Sequence, residues 1–153
     1  MDDTQAMRLA LEAARRAERE GEVPVGAVLT DAAGKMLAGA GNACIHPPDP
    51  AGHAEMRTIR AAARRAGNYR LPGCRLYVTL EPCLMCAGLC LQARLAAVFY
   101  GAADPRGGAL HSCYRVGEDR RLNHALEVRG GLLEADCAAL LVSFFRAKRR
   151  RPR

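Results

Sequence analysis

Residues 75–86, with the sequence RLYVTLEPCLMC, pass from a β-strand pattern directly into a helix pattern. Branched and aromatic residues in the first half favour a strand, and Pro82 suits the first position of a helix that follows. Residues 95–100 have the pattern of a second strand. A strand, a helix and another strand in succession predict two parallel strands joined by a crossover, the basic unit of an α/β sheet.

The remaining patterns predict helices on both faces of that sheet. Apolar residues recur at helical spacing from Met7 and stop at Gly21, which predicts an amphipathic first helix. The other predicted elements are a hairpin at 25–30 and 35–40, a second helix at 54–66, a short edge strand at Val128, and a last helix with the apolar stripe Cys137, Leu140, Leu141 and Phe144. We therefore expect a three-layer α/β/α fold with a mixed, mostly five-stranded sheet.

Two short motifs supply three zinc ligands and one further carboxylate. They are His53-Ala54-Glu55 and Cys83-Leu84-Met85-Cys86. Residues three apart share one face of a helix, so both sulfurs could point at one ion, and a helix N-terminus favours the thiolate form. A hydrolytic zinc site keeps an open position for water and needs a base nearby. We expect His53, Cys83 and Cys86 to bind one Zn²⁺ per chain, with Glu55 as the catalytic base.

Each motif alone would be ambiguous. A lone Cys-x-x-Cys is more often structural or redox-active than catalytic, and a lone His-Ala-Glu carries little information. A structural zinc site is therefore an alternative, with Cys90, one helical turn beyond Cys86, as the nearest candidate for a fourth ligand. Most of the other cysteines are expected to be small core residues. The cysteines outside the Cys-x-x-Cys motif are Cys44, Cys74, Cys90, Cys113 and Cys137.

Length and cysteine usage limit the organisation and the compartment. A chain of 153 residues, half of them apolar, suits one core, so we expect a single domain over 1–148 followed by a basic tail over 149–153. Seven cysteines without a signal-peptide pattern indicate a reducing, cytoplasmic environment. No stretch approaches the roughly 18 consecutive apolar residues of a membrane span.

The net charge of +7 is concentrated at the C-terminal end. Six basic residues occur there with no acidic residue among them, and they leave the rest of the chain near +1. They are Arg146, Lys148, Arg149, Arg150, Arg151 and Arg153. Such a block suits phosphates, because neutralising a polyanion releases its counterions. The alternative is a solvated tail that keeps the protein soluble.

The chain resembles the bacterial tRNA-specific adenosine deaminase family, within the cytidine and deoxycytidylate deaminase superfamily. The His-x-Glu and Pro-Cys-x-x-Cys signature is typical of all zinc nucleobase deaminases. Further matches follow the family pattern in order over nearly the whole chain. They are Gly21-Glu22-Val23-Pro24-Val25-Gly26-Ala27-Val28, Gly41-Asn42, Asn68-Tyr69-Arg70-Leu71, Leu76-Tyr77-Val78-Thr79-Leu80-Glu81, Gly101-Ala102, Asp104-Pro105, Asn123-His124 and Phe144-Phe145-Arg146.

The resemblance implies hydrolytic deamination of the adenosine at the wobble position of a tRNA anticodon, yielding inosine and ammonia. It implies a homodimer with active sites near the subunit interface, and a proton shuttle through Glu55. It also assigns binding residues. Those for the substrate are Asn42, Ala54, Val25 and Asp104, and those for the anticodon stem-loop are Phe145, Arg146, Lys148, Arg149 and Arg150. From spacing alone, Asn42 would instead be a turn residue after glycine.

Two departures and two rival functions stay open. Ala51-Gly52 stands where the family commonly has Thr-Ala, and His111-Ser112 where Gly-Ser is usual; His111 is expected to be a surface histidine rather than a ligand.

One rival function is deamination of a free base or nucleoside, such as guanine, cytidine or deoxycytidylate. The other is a noncatalytic RNA-binding module with a structural zinc.

Overall fold

The computed structural model describes residues 1–150. Its helices are α1 (Asp3–Arg19), α2 (Ala54–Ala66), α3 (Leu84–Gln92) and α4 (Glu134–Arg150), and its strands are β1 (Gly26–Thr30), β2 (Met36–Gly41), β3 (Arg75–Leu80), β4 (Ala97–Ala102) and β5 (Glu127–Arg129). A short 3₁₀ helix lies at Val116–Glu118. Residues 151–153, which include Arg151 and Arg153 of the predicted basic tail, lie outside the described part of the chain.

The five strands form one mixed sheet in the order β2-β1-β3-β4-β5. Strand β1 is antiparallel to β2 and β3, whereas β3, β4 and β5 are parallel to one another. Helix α3 joins β3 to β4, as the sequence of residues 75–100 predicted. The mixed five-stranded α/β/α fold is therefore confirmed.

The helices cover both faces of the sheet. On one face, Met7 and Ala10 of α1 and Cys137 of α4 pack against Tyr77 and Phe99, whose rings stack 4.9 Å apart. The opposite core contains the buried sides of α2 and α3, with residues such as Ile59, Ala62, Ala87, Cys90, Leu29, Val78 and Val98. The two cores together bury both faces of β3, which leads to the predicted metal ligands.

Gly26 allows α1 to approach β1 closely. A Cβ atom built on Gly26 would lie 1.9 Å from the Ala10 carbonyl oxygen, so no other residue fits without moving the helix. The Gly26 N–H also donates to the Thr79 hydroxyl on β3 at 3.1 Å. This contact fixes the start of β1 next to Val25, which lines the pocket described below.

Several element boundaries differ from the predictions; β1 begins one residue late, β2 is shifted by one residue, and β4 ends two residues late. Helix α3 begins one residue after Cys83, which is the N-cap with an extended backbone, so Pro82 precedes the helix instead of occupying its first position. Strand β4 begins two residues late, because the N–H of Leu95 donates to the end of α3 and that of Ala96 to Cys74, outside the ladder. Helix α4 extends through Arg150, so two residues of the predicted tail are helical.

All seven cysteines are free thiols. Cys74, Cys90 and Cys137 are buried as predicted, whereas Cys44 is half-buried and Cys113 is exposed. Among the helices of residues 1–150, none is long and apolar enough to cross a membrane.

Candidate metal centre and catalytic pocket

The three predicted zinc ligands meet where two helices begin. His53 is the N-cap of α2, Cys83 is the N-cap of α3, and Cys86 lies in the first turn of α3. Neither N-cap side chain bonds to the backbone of its own helix, which is the usual role of that position. Their side chains point towards each other instead, so the cap positions serve the metal site.

The spacing of the ligand atoms fits a zinc ion. The Nδ1 atom of His53 lies 3.6 Å from Cys83 Sγ and 3.5 Å from Cys86 Sγ. A tetrahedral zinc with Zn–N of about 2.05 Å and Zn–S of about 2.3 Å separates nitrogen and sulfur by about 3.6 Å. The three side chains could therefore hold Zn²⁺ almost as they stand, through Nδ1 of His53.

A hydrogen bond between the two thiols shifts their pKa values in opposite directions. The hydrogen bond from the Cys86 thiol lowers the pKa of Cys83 to about 5, and the same bond raises the pKa of Cys86. Of the two thiols, Cys83 is therefore the one that loses its proton more readily. A divalent cation favours loss of the second proton, since zinc binds thiolates rather than thiols.

Cys90 does not join this group. In the described part of the chain, the only cluster whose possible ligand atoms all lie within 4.8 Å of one another is His53, Cys83 and Cys86. Cys90 is fully buried in the core beneath α3, and burial raises the pKa of its thiol. The geometry thus favours three protein ligands over the four-ligand structural site that Cys90 would complete.

Glu55 occupies the position expected of a base. Its side chain is buried in the first turn of α2 and lines the same cavity as His53 and Cys83, but it is not a member of the ligand cluster. Burial raises the pKa of the Glu55 carboxyl above its ordinary value. The pKa thereby moves towards neutral pH, where a group can both accept and return a proton.

The cavity beside the ligands has a volume of about 260 Å³ and contains three of the four predicted substrate residues. Its lining consists of Val23, Val25, Asn42, Cys44, His53, Glu55, Leu80, Glu81, Cys83 and Asp104. The fourth predicted substrate residue, Ala54, is completely buried. Its N–H already donates to Asn42 Oδ1 at 2.8 Å, so the predicted backbone contact of Ala54 with a base would need another atom.

Sequence reasoning assigned no role to two buried carboxylates near this cavity, Glu22 and Glu81. Glu81 directly follows β3, and it accepts hydrogen bonds from the backbone of Asp104 and of 110–112 and from the Ser112 hydroxyl. Burial raises the pKa of the Glu81 carboxyl, but these donors outweigh it and hold the pKa below its ordinary value. The indication in the sequence was an acidic residue directly after a largely buried strand.

The two departures from the family pattern have local explanations. A Cβ atom on Gly52 would lie 2.3 Å from the Ala43 carbonyl oxygen, so glycine lets the loop before α2 close on itself. His111 is half-buried, and its Nδ1 lies 2.6 Å from the Tyr100 hydroxyl. Tyr100 and the Glu81 carboxylate therefore hold His111 against β4, so that its side chain is only partly exposed at the surface.

The predicted RNA-binding residues do not line the cavity. Phe145, Arg146, Lys148, Arg149 and Arg150 are all exposed on the last turns of α4. Helix α4 packs on the α1 side of the sheet, whereas the metal ligands lie at the starts of α2 and α3. Contact between these residues and RNA stays a prediction.

Comparison with known proteins agrees with this geometry. Residues 1–102 match the family model of the cytidine and deoxycytidylate deaminase zinc-binding region. The chain is 44% identical over 147 residues to a tRNA-specific adenosine deaminase of Haemophilus influenzae, covering 96% of this chain and 85% of the relative. It is 46% identical over 146 residues to that of Agrobacterium fabrum, covering 95% of each.

A solved structure from work on A-to-I editing by tRNA:A34 deaminases at the wobble position of transfer RNA superimposes with a TM-score of 0.86. It is 45% identical and covers 90% of this chain and 99% of its own. Sequence, fold and zinc ligands agree, and the chain belongs to the tRNA-specific adenosine deaminase family.

Proposed function

We propose that this protein converts adenosine to inosine at the wobble position of a tRNA anticodon by zinc-dependent hydrolysis. The observation that carries the proposal is the Glu55 carboxylate, buried in the cavity beside three ligand atoms spaced for zinc. The tRNA substrate is supported by the relatives and by the tRNA:A34 deaminase structure.

The reaction needs one water, one nucleobase amine and a group that moves protons. Zinc, when bound, supplies a Lewis acid that lowers the pKa of a coordinated water towards about 7. The Glu55 carboxylate accepts one proton from the attacking water and delivers it to the purine ring. It then accepts the second proton, from the hydroxyl group now bonded to the ring carbon, and delivers it to the amine, which departs as ammonia as the inosine carbonyl forms. Its burial excludes competing hydrogen bonds from bulk water, which suits this shuttle.

Recognition of the base is assigned to the cavity walls. Asn42 Oδ1 is held by the Ala54 N–H, which orients the Asn42 side chain and directs its amide NH₂ group for donation to a purine edge. Val25 supplies an apolar surface for the ring, and Asp104 lines the opposite loop. A base must leave its stack to enter, which costs least in a single-stranded loop.

The basic end of α4 is proposed to bind the phosphates of the anticodon stem-loop. Arg146, Lys148, Arg149 and Arg150 are exposed, and in the described part of the chain none forms a salt bridge that would neutralise it. Phe145 is 42% exposed and could stack on a base. The phosphates of the RNA would supply the negative charge that pairs with these basic side chains.

We also propose a homodimer in the cytoplasm. Leu84 and Met85 follow the ligand Cys83 and are 52% and 39% exposed, and Leu122 nearby is 45% exposed. A shallow apolar groove lies between them, lined in part by Leu84, Leu91, Val116 and Leu122. Burying this surface in a second copy would place the dimer interface next to the pocket. Free thiols agree with a reducing compartment.

One assay separates the proposal from its rivals. The zinc-loaded protein is incubated with a transcribed tRNA that has adenosine at the wobble position, and the product is sequenced for an adenosine-to-guanosine change. A free-base deaminase would leave the tRNA unchanged and release ammonia from guanine, cytidine or deoxycytidylate. A noncatalytic module would bind the tRNA without changing it.

A further inference from the structure

Each of the two loops that flank the catalytic pocket is held by one buried carboxylate. The first loop, residues 42–53, joins β2 to α2 and brings Asn42 and Cys44 into the pocket lining. Glu22 is 4% exposed and accepts from the N–H of Cys44 at 2.8 Å and from that of Ile45 at 3.0 Å. Each carboxylate oxygen of Glu22 therefore binds one amide of this loop.

The second loop, residues 103–115, follows β4 and brings Asp104 into the lining. Glu81 is 2% exposed and accepts backbone N–H bonds of 2.8–3.2 Å from Asp104, Leu110, His111 and Ser112. A Cβ atom on Gly108 would lie 2.3 Å from the Glu81 carboxyl carbon, so the loop wraps this carboxylate closely.

Among the described residues, backbone N–H groups and the Ser112 hydroxyl, and not cationic side chains, face these two carboxylates. In residues 1–150, neither Glu22 nor Glu81 forms a salt bridge. A carboxylate offers about four lone-pair sites to converging N–H groups. A glutamine of the same size offers one oxygen and turns an NH₂ group towards the remaining donors, so it cannot hold the same loop conformation.

We propose that Glu22 and Glu81 are positioning residues that fix the two pocket walls and thereby determine affinity for the RNA loop that enters between them. The inference rests on the proposed function, because it assigns the walls to substrate binding. Neither carboxylate is given a role in proton transfer. Interactions that bind the substrate and the transition state equally affect KM and not kcat, so we expect displacement of the walls to appear in KM more than in kcat.

The test uses the zinc-loaded Glu22→Gln and Glu81→Gln proteins. Steady-state kinetics on an anticodon stem-loop should show KM raised about tenfold or more in each, with kcat within about threefold of the parent. Zinc content should stay at one ion per chain. Hydrogen exchange followed by mass spectrometry should lose protection around 44–45 only in the first variant and around 110–112 only in the second.

Two further variants serve as controls. Glu118→Gln removes an exposed carboxylate that pairs with Arg115 beside the second loop, and it should change neither KM nor exchange at 110–112. Ser112→Ala removes the hydroxyl donor to Glu81 but keeps the four N–H donors, so KM should rise by a smaller factor. If Glu81→Gln does not fold, the KM of Ser112→Ala and its hydrogen exchange at 110–112 test the role of Glu81 instead.

Several results would overturn the inference. They are unchanged KM in both glutamine variants, a fall in kcat alone, or exchange that increases throughout the protein instead of in one loop. An inactive parent protein would instead refute the proposed function. The exchange measurement would then still decide whether Glu22 and Glu81 hold the two loops.

Discussion

Asn42 Oδ1 accepts a hydrogen bond from the N–H of Ala54 at 2.8 Å, which ties the end of β2 to the first turn of α2. This N–H is one of the donors that a helix start leaves without an internal partner. The next residue is Glu55, the proposed base. Asn42 therefore stabilises the helix that positions Glu55, and it also lines the pocket where we propose that its NH₂ group binds the base.

Two substitutions separate these roles of Asn42. Asn42→Asp keeps an oxygen for Ala54 but loses the NH₂ group, so stability should hold while KM for an adenosine stem-loop rises. Asn42→Ala loses both, and we expect a cost of about 1–3 kcal/mol in binding together with a lower melting temperature. Zinc content should be unchanged in both. Equal KM values for Asn42→Asp and the parent would exclude base recognition through this amide.

Removing one metal ligand should remove zinc and stability together. Cys86→Ser is expected to lower both the zinc content, measured by atomic emission, and the melting temperature, because metal binding contributes folding free energy. Cys90→Ala is the matched control, since Cys90 lies outside the ligand cluster. It should destabilise the core but keep one zinc per chain. Full zinc occupancy of Cys86→Ser in the presence of a strong chelator would contradict the site.

Glu55→Gln should preserve zinc and fold but not turnover. The carboxylate is proposed to contact water and substrate, so its removal should reduce kcat by about 10²–10⁴-fold, the range for a positioned acid or base. Zinc analysis and circular dichroism provide the controls. Loss of the metal from this variant would make Glu55 a ligand and exclude the proposed proton shuttle.

The basic end of α4 is best tested by substitution, because Arg149 and Arg150 are helical. Replacing both with Gln should weaken tRNA binding without changing zinc content. The slope of log affinity against log salt should flatten by about 0.7 for each lost contact to single-stranded backbone. Arg60→Gln with Arg64→Gln, exposed on α2 across the sheet, is the control and should leave the slope unchanged. An unchanged slope in the α4 variant would contradict phosphate binding by these residues and would favour the alternative that they keep the protein soluble.

The proposed dimer can be tested at the apolar groove beside Cys83. Leu84→Glu places a charge on the exposed residue that follows this ligand, and we expect the variant to sediment as a monomer in analytical ultracentrifugation. Val142→Glu, equally exposed on α4, is the matched control and should remain a dimer. A monomeric parent protein would contradict the dimer proposal.

Local patterns were sufficient for most of the fold and for the metal ligands. Helix α2 and strand β3 match the predicted ranges because periodicity and the flanking loop residues agree there. The start of α3 was misplaced because nothing local shows that Cys83 keeps an extended backbone as the N-cap. The roles of Glu22 and Glu81 depend on loops 22 to 31 residues away in the chain, and His111 is partly covered by Tyr100 of β4. Contacts of this kind arise only from the tertiary structure.

The central claim is that this pocket acts on an adenosine presented by an RNA loop. Its most direct test compares kcat/KM of the zinc-loaded protein for an anticodon stem-loop with adenosine at the wobble position, the same stem-loop with cytidine there, free adenosine and free guanine. We predict efficient conversion of the adenosine stem-loop to inosine, much slower deamination of free adenosine, and scarcely any reaction with cytidine or guanine. Comparable turnover of a free base or nucleoside and the stem-loop, or efficient cytidine deamination, would contradict the account.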